Sequence, residues 1–365
     1  MSLKIGIVGF PNVGKSTLFN SLLKKQVALA ANYPFATIEP NVGIVEVPDE
    51  RVNKLAEIVK KEYFNPNSNR ELPERIVPAV VEFVDIAGLV KGASSGQGLG
   101  NKFLAHIREV DAVVHVLRDF SDPNVIKEGS ISPKSDQEVI EIELAMSDLE
   151  IVQKRISKLS ADLKKGQNAD ISEELEVLNN ILLKLESGKI DFSSVSESEF
   201  SLAKSMNLLF YKPKLVVYNI DESSISSKEK IDDGNIYLCA KLENELASLD
   251  DISAQEYMSE IGLKMSGLSK LIRKGYDLLG LQTYFTAGPK EVRAWTIKKG
   301  CKAPVAAGVI HTDFQKGFIS AYIVSFDDLI SSGSYKNAKS QGLVRNEGKD
   351  YIMKDGDIVE FKFNV

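Results

Sequence analysis

Cysteine is nearly missing from this 365-residue chain: Cys239 and Cys301 are its only two. They lie far apart and show no metal-ligand spacing. That excludes a disulfide-stapled scaffold or a cysteine-ligated zinc site and favours free thiols in a reducing cytoplasm. No apolar run approaches the roughly 20 residues needed to span a bilayer, so no membrane role is expected. The apolar start, Leu3 to Val8, runs directly into a glycine-rich loop that its removal as a signal peptide would destroy, so it is expected as a buried first strand. Basic excess is missing too. A formal net charge of −6 argues against a protein that binds nucleic acid over its whole surface, while leaving room for a local basic face.

What is present is an ordinary globular composition, 43% hydrophobic and 26% charged, long enough for two or three domains. Lys4 to Val8 predicts a strand. A helix from Ser16 to Lys24 would place Leu18, Leu22 and Leu23 on one face. Val42 to Val47 and Ile76 to Val84 read as strands separated by a helix around Arg51 to Lys60. A further buried strand is expected from Asp111 to Leu117. From Ile142 the pattern becomes a coiled-coil seam through Ala145, Leu149, Val152, Ile156, Leu159 and Leu163. After a break at Lys165 to Asn168, Leu175, Leu178, Leu182 and Leu185 take the spacing up again, as in an antiparallel helical hairpin. Leu215 to Tyr218 and Ile236 to Cys239 restart the sheet, so the helices form an insertion. Beyond Leu281 short strands and glycine turns predict a separate small α+β domain, with a formal charge of about +3.

Gly9, Gly14, Lys15 and Ser16 satisfy G-x-x-x-x-G-K-[ST] between a strand and a helix. In such a loop the backbone N–H groups of Asn12, Val13, Gly14, Lys15, Ser16 and Thr17 face phosphate oxygens, and the helix N-terminus favours the anion. Lys15 is expected on the β- and γ-phosphates and Ser16 on Mg²⁺. Asp85-Ile86-Ala87-Gly88 at a strand end supplies the other half: Asp85 as a metal ligand through water and the Gly88 N–H at the γ-phosphate. Thr37, in the loop after the first helix, either closes over the γ-phosphate with its hydroxyl on Mg²⁺ or is an ordinary loop threonine.

These stretches, with Tyr33 to Asn41, Leu89 to Ala93 and Gly98 to Leu104, resemble the YchF subfamily of Obg-related GTPases over nearly the whole chain. The resemblance implies an α/β P-loop NTPase G domain (1–136 and 203–280) and an inserted antiparallel coiled-coil helical domain (137–202). A C-terminal TGS domain of β-grasp, ubiquitin-like fold would follow (281–365). It also implies hydrolysis of ATP as readily as GTP or better. Asn219-Ile220-Asp221-Glu222 stands where N-K-x-D is usual. Without the lysine, and with the carboxylate one methylene further out, discrimination for guanine should weaken. Cys239, Ala240 and Lys241 replace a Ser-Ala-Lys loop and are expected to flank the base. Leu89 occupies the place of a water-orienting glutamine, so unaided turnover should be slow. His115 is one candidate for that water, His106 another, and either could be a packed or surface histidine. Asn12 either ligates K⁺ beside the phosphates, as in relatives, or is tolerated because the loop needs a left-handed residue.

The TGS resemblance implies contact with the ribosome or RNA, and Trp295 belongs either to such a face or to the core. The expectation is therefore a cytoplasmic, monomeric, ribosome-associated ATPase/GTPase acting as a nucleotide-dependent switch with Mg²⁺ and K⁺. A GTP-specific ribosome assembly factor and a non-catalytic, nucleotide-bound scaffold for ribosome or RNA are the alternatives.

Overall fold

The computed structural model describes residues 3–27, 41–63, 72–86, 99–122, 125, 132–164, 166, 169–188, 194–228, 231 and 233–364. The first elements are β1 (Lys4–Val8), α1 (Lys15–Val27), β2 (Val42–Glu46), α2 (Glu50–Glu62), β3 (Arg75–Val77), β4 (Val80–Asp85), α3 (Leu99–Arg108) and β5 (Ala112–Asp119). Helices α4 (Pro133–Leu163), α5 (Ala169–Ser187) and α6 (Glu197–Ser205) follow. The sheet resumes with β6 (Lys214–Ile220), α7 (Ile225–Lys228), β7 (Ile236–Leu238), α8 (Ala240–Leu246), α9 (Asp251–Glu260) and α10 (Gly267–Leu278). Next come β8 (Leu281–Ala287), β9 (Glu291–Lys298), α11 (Ala303–Ile310), α12 (Thr312–Lys316) and β10 (Phe318–Ser325). The chain closes with α13 (Phe326–Ser332), α14 (Tyr335–Ser340), β11 (Arg345–Glu347) and β12 (Asp357–Phe363).

The described residues of 1–24, 38–43 and 82–270 form one compact unit, and those of 25–37, 44–81 and 271–365 a second. The first sheet has the order β2-β4-β1-β5-β6-β7, with β1 parallel to β4 and β5, and β6 parallel to β5 and β7. Its middle strand β5 is buried at every residue but Asp119, as a strand covered on both faces must be, and it reads as a continuous apolar run broken by His115 and Arg118. Leu18 and Leu22 of α1 are fully buried.

The inserted helices are as expected in kind and shifted in detail. Ala145, Val152 and Leu159 of α4 are buried, as are Leu178, Ile181 and Leu185 of α5. Ile142 is not a seam residue; it is 51% exposed, and Ile140 and Leu144 are buried instead. The reason is that α4 packs on β5 as well as on α5, so its first turns obey the sheet rather than a partner helix. Ser132 starts α4 with a capping box, and Pro133 follows in the first turn.

The run Ile76 to Val84 is not one strand. It breaks at Pro78, which has no N–H to offer a ladder: β3 pairs parallel with β9, whereas β4 joins β1. The second sheet is mixed, with order β11-β10-β12-β8-β9-β3. Tyr284, Ala303, Ala306, Ala307 and Ile323 form its core, and the Tyr284 hydroxyl donates to Ala306 O at 3.0 Å. Trp295 packs against this core. Its Nε1 donates to Thr286 Oγ1 at 2.9 Å, and the Arg293 guanidinium lies 3.9 Å over its ring. Helix α2 buries Val52, Leu55, Ala56, Ile58 and Val59, and it packs on β8 and β9. Arg51 on this helix bonds Asp49 at 2.7 Å and Asp355 at 2.6 Å. The seating of the described residues of 44–81 in the second unit leaves no trace in the hydrophobic periodicity. Among the described residues no helix is long and apolar enough to cross a membrane.

Candidate functional site

The loop after β1 turns sharply enough to need special residues. Asn12 takes φ +61° and Gly14 φ +97°. A Cβ on Gly14 would run into the side-chain amide nitrogen of Asn219, and one on Gly9 into the carbonyl oxygen of Val116. Both glycines thus answer to close approach of backbone to neighbour. Helix α1 starts at once, with Leu18 N–H donating to Gly14 O at 2.9 Å. The early N–H groups of that helix are the ones an anion would meet.

Lys15 is 7% exposed, and its Nζ donates to Phe10 O at 2.6 Å. Burial pushes its ammonium down to about 8, while the nearby carboxylate of Asp85 works against that shift. Asp85 is pushed above its ordinary range, by burial first, with Lys15 opposing. Asp85 ends β4, its backbone N–H donating to Asn41 O at 2.9 Å.

Asn219 joins two loops. Its Nδ2 donates to Val13 O at 3.0 Å and its Oδ1 accepts from Ala240 N at 2.9 Å, with the side chain buried. This geometry locks the end of β6 both to the phosphate loop and to the start of α8. Glu222 is exposed, in a short 3₁₀ turn after β6, and accepts from the Tyr257 hydroxyl at 3.4 Å. Cys239 is the N-cap of α8, and burial raises its thiol. A cavity of about 630 Å³ is lined by Asn12, Gly14, Lys15, Ser16 and Thr17 from one side. Asn219, Ile220, Asp221, Glu222, Cys239, Ala240 and Lys241 line it from the other. The sequence-predicted loop and base residues therefore meet around one space, open at the carboxyl ends of parallel strands, where doubly wound sheets bind ligands.

Phe120, Ser121, Asp122 and Val125 complete the lining and were missed in the sequence reading. The available signal was an aromatic directly after the C-terminal end of a buried strand. Val13 contributes its carbonyl to Asn219 and does not line the cavity. His115 does not line it either: it is fully buried on β5, and neither ring nitrogen has a partner among the described residues. Burial, with Lys214 adding to it, pushes its imidazole down to about 3, so it is neutral. Thr37, Gly88 and Leu89, and the glycine-rich stretch 91–98, lie outside the described residues.

A parallel sheet with a phosphate loop after its first strand, a buried lysine and a facing aspartate defines a P-loop nucleoside-triphosphatase domain. The family model described as a 50S ribosome-binding GTPase matches residues 4–155. The YchF-GTPase C-terminal model, described as a protein of unknown function (DUF933), matches 281–364. The chain is 47% identical to the ribosome-binding ATPase YchF of Bacillus subtilis (strain 168) over 380 residues, covering 100% of both. It is 47% identical to the protein of the same name from Escherichia coli O157:H7 over 377 residues, again covering 100% of both. The solved structure of the Schizosaccharomyces pombe YchF GTPase superposes with a TM-score of 0.85 at 37% identity, covering 99% of this chain and 98% of that one. The chain belongs to the YchF family. Its fold is a P-loop G domain carrying inserted helices, followed by the family's TGS-type C-terminal domain.

Proposed function

We propose that this chain is a cytoplasmic, ribosome-associated ATPase that also accepts GTP, with its nucleotide state tuning its hold on the ribosome. Relatives named ribosome-binding ATPase support the partner. The observation that carries the nucleotide half is the single cavity shared by the phosphate loop, Asn219 to Glu222 and Cys239 to Lys241. In this reading 1–136 with 203–280 binds nucleotide, 137–202 is the helical insertion, and 281–365 meets the ribosome or its RNA as part of a monomer.

The loop N–H groups and Lys15 bind the triphosphate, Lys15 exchanging the Phe10 carbonyl for phosphate oxygens. The hydroxyl of Ser16 and the carboxylate of Asp85 are hard oxygen donors that suit Mg²⁺, with Thr37 as a further ligand. Mg²⁺ held there would neutralise charge on the β- and γ-phosphates. Gly88 would donate its N–H to the γ-phosphate. Asn12 is assigned to K⁺, although its left-handed backbone alone accounts for asparagine.

Glu222, reached by the Tyr257 hydroxyl, stands where a guanine-selective site would use a shorter carboxylate. Adenine is thereby admitted. With Leu89 unable to orient water, unaided hydrolysis is slow. A neutral imidazole enclosed in the sheet is poorly placed to act as general base, and we assign His115 no such step.

Single-turnover hydrolysis of ATP and GTP, with and without ribosomes, tests the proposal. Ribosomal stimulation and nucleotide-dependent ribosome affinity are expected. Unchanged rates and affinities would favour a scaffold, and GTP bound at least about tenfold tighter than ATP would favour a GTP-specific assembly factor.

A further inference from the structure

Arg118 sits near the end of β5, 7% exposed. Its guanidinium turns onto the segment that follows the strand. Nη2 donates to Asp122 O at 3.1 Å, Nη1 to Val125 O at 3.1 Å and Nε to Phe120 O at 3.5 Å. The same group lies 4.4 Å over the Phe120 ring. From the other side, both carboxylate oxygens of Asp221 accept from Ser121 N–H, at 3.2 and 3.1 Å. Phe120, Ser121, Asp122 and Val125 are thus gripped between a buried fork and the residue next to Glu222, and they form a wall of the nucleotide cavity beside the base-recognition segment.

We propose that Arg118 is a positioning residue for the base of the nucleotide: together with Asp221 it holds the wall of Phe120, Ser121, Asp122 and Val125 in a binding-ready shape. The inference rests on reading this cavity as the nucleotide site. Its physical basis is that a planar guanidinium presents several donors in fixed directions, so one side chain orders three carbonyls at once. A wall ordered beforehand spares the nucleotide that ordering cost. A lysine could satisfy only part of the set, because its donors radiate from one point. The phosphates are held by the loop after β1, so the effect should be confined to the base end.

The test compares ATP with inorganic tripolyphosphate, which has the phosphates and no base, in the full chain and in Arg118→Met, Arg118→Lys and Asp221→Ala. Calorimetric Kd and steady-state kinetics are the readouts. Arg118→Met should raise the Kd and KM for ATP about tenfold with kcat within about twofold, leaving tripolyphosphate affinity unchanged. Arg118→Lys should fall between, and Asp221→Ala should shift ATP in the same direction. The Arg118→Met/Asp221→Ala double change should cost less than the two single effects combined, since either one already frees the wall. Should Arg118→Met fail to fold, Asp221→Ala, a change at a half-buried residue, carries the comparison. Equal weakening of ATP and tripolyphosphate, or unchanged ATP binding in both single variants, overturns the role of Arg118. Failure of the parent to bind either ligand overturns the nucleotide reading itself.

Discussion

Replacing Asn219 with alanine removes one amide that serves two loops at once. The Val13 carbonyl would lose its donor at 3.0 Å and the Ala240 N–H its acceptor at 2.9 Å. A backbone group orphaned in the interior costs about 1–3 kcal/mol, so the pair sets a range of about 2–6 kcal/mol. Asn219 and Ala240 line the cavity, so water can enter where the amide is removed, and the lower end, about 2–3 kcal/mol, is expected. Asn219→Asp should cost at least as much, because it keeps an acceptor for Ala240 but turns a carboxylate oxygen toward the Val13 carbonyl. Urea denaturation without nucleotide measures the stability change. Titration with a fluorescent ATP analogue should show affinity about tenfold or more weaker, since the phosphate loop loses its tie to the base loop. Gly14→Ala places a methyl against the same amide at φ +97°, so it should be damaging alone, and adding Asn219→Ala should recover its steric part. An Asn219→Ala protein within about 0.5 kcal/mol of the parent and with unchanged nucleotide affinity would refute the bridging argument.

Glu222→Asp moves the acceptor one methylene toward the backbone and gives up the Tyr257 contact at 3.4 Å. The ratio of GTP to ATP affinity should rise about tenfold in paired titrations, and no change would sink the base-selection argument. Hydrolysis in matched KCl and NaCl should be faster with K⁺ if Asn12 ligates it; equal rates would remove that role. His115 predicts a pH dependence of stability. Its folded pKa is depressed to about 3 from an ordinary 6.5, so between these values the unfolded chain binds one more proton and stability falls as pH falls. From pH 6.5 to 5 the loss should be about 1.6 kcal/mol, and denaturation across that window should find a shallower slope in His115→Leu.

The parallel sheet was legible because apolar strand runs and the Gly9 to Ser16 loop announce themselves locally. So were the cavity's two faces, since Lys15 and Asn219 belong to spaced motifs. Phe120 and Val125 were not, because nothing in local spacing says that Arg118, read as a strand residue, turns back to grip the segment after it. Pro78 was the overlooked sign that Ile76 and Val84 serve different sheets. Ile142 fitted a heptad and yet faces outward, because the sheet beneath α4 sets that helix's first turns.

The described residues of 44–81 leave the first sheet through β2, pack on the second through α2 and β3, and come back through β4. The C-terminal unit is therefore not an appendage on one linker. Cutting the chain near residue 280 would strip Val52, Leu55, Ile58 and Val59 of the strands they pack on and leave Arg51 without Asp355. A deletion meant to test ribosome contact would at the same moment unseat a segment flanked in sequence by Thr37 on one side and Asp85 on the other. In this chain the border between modules has to be drawn in space, and no single cut follows it.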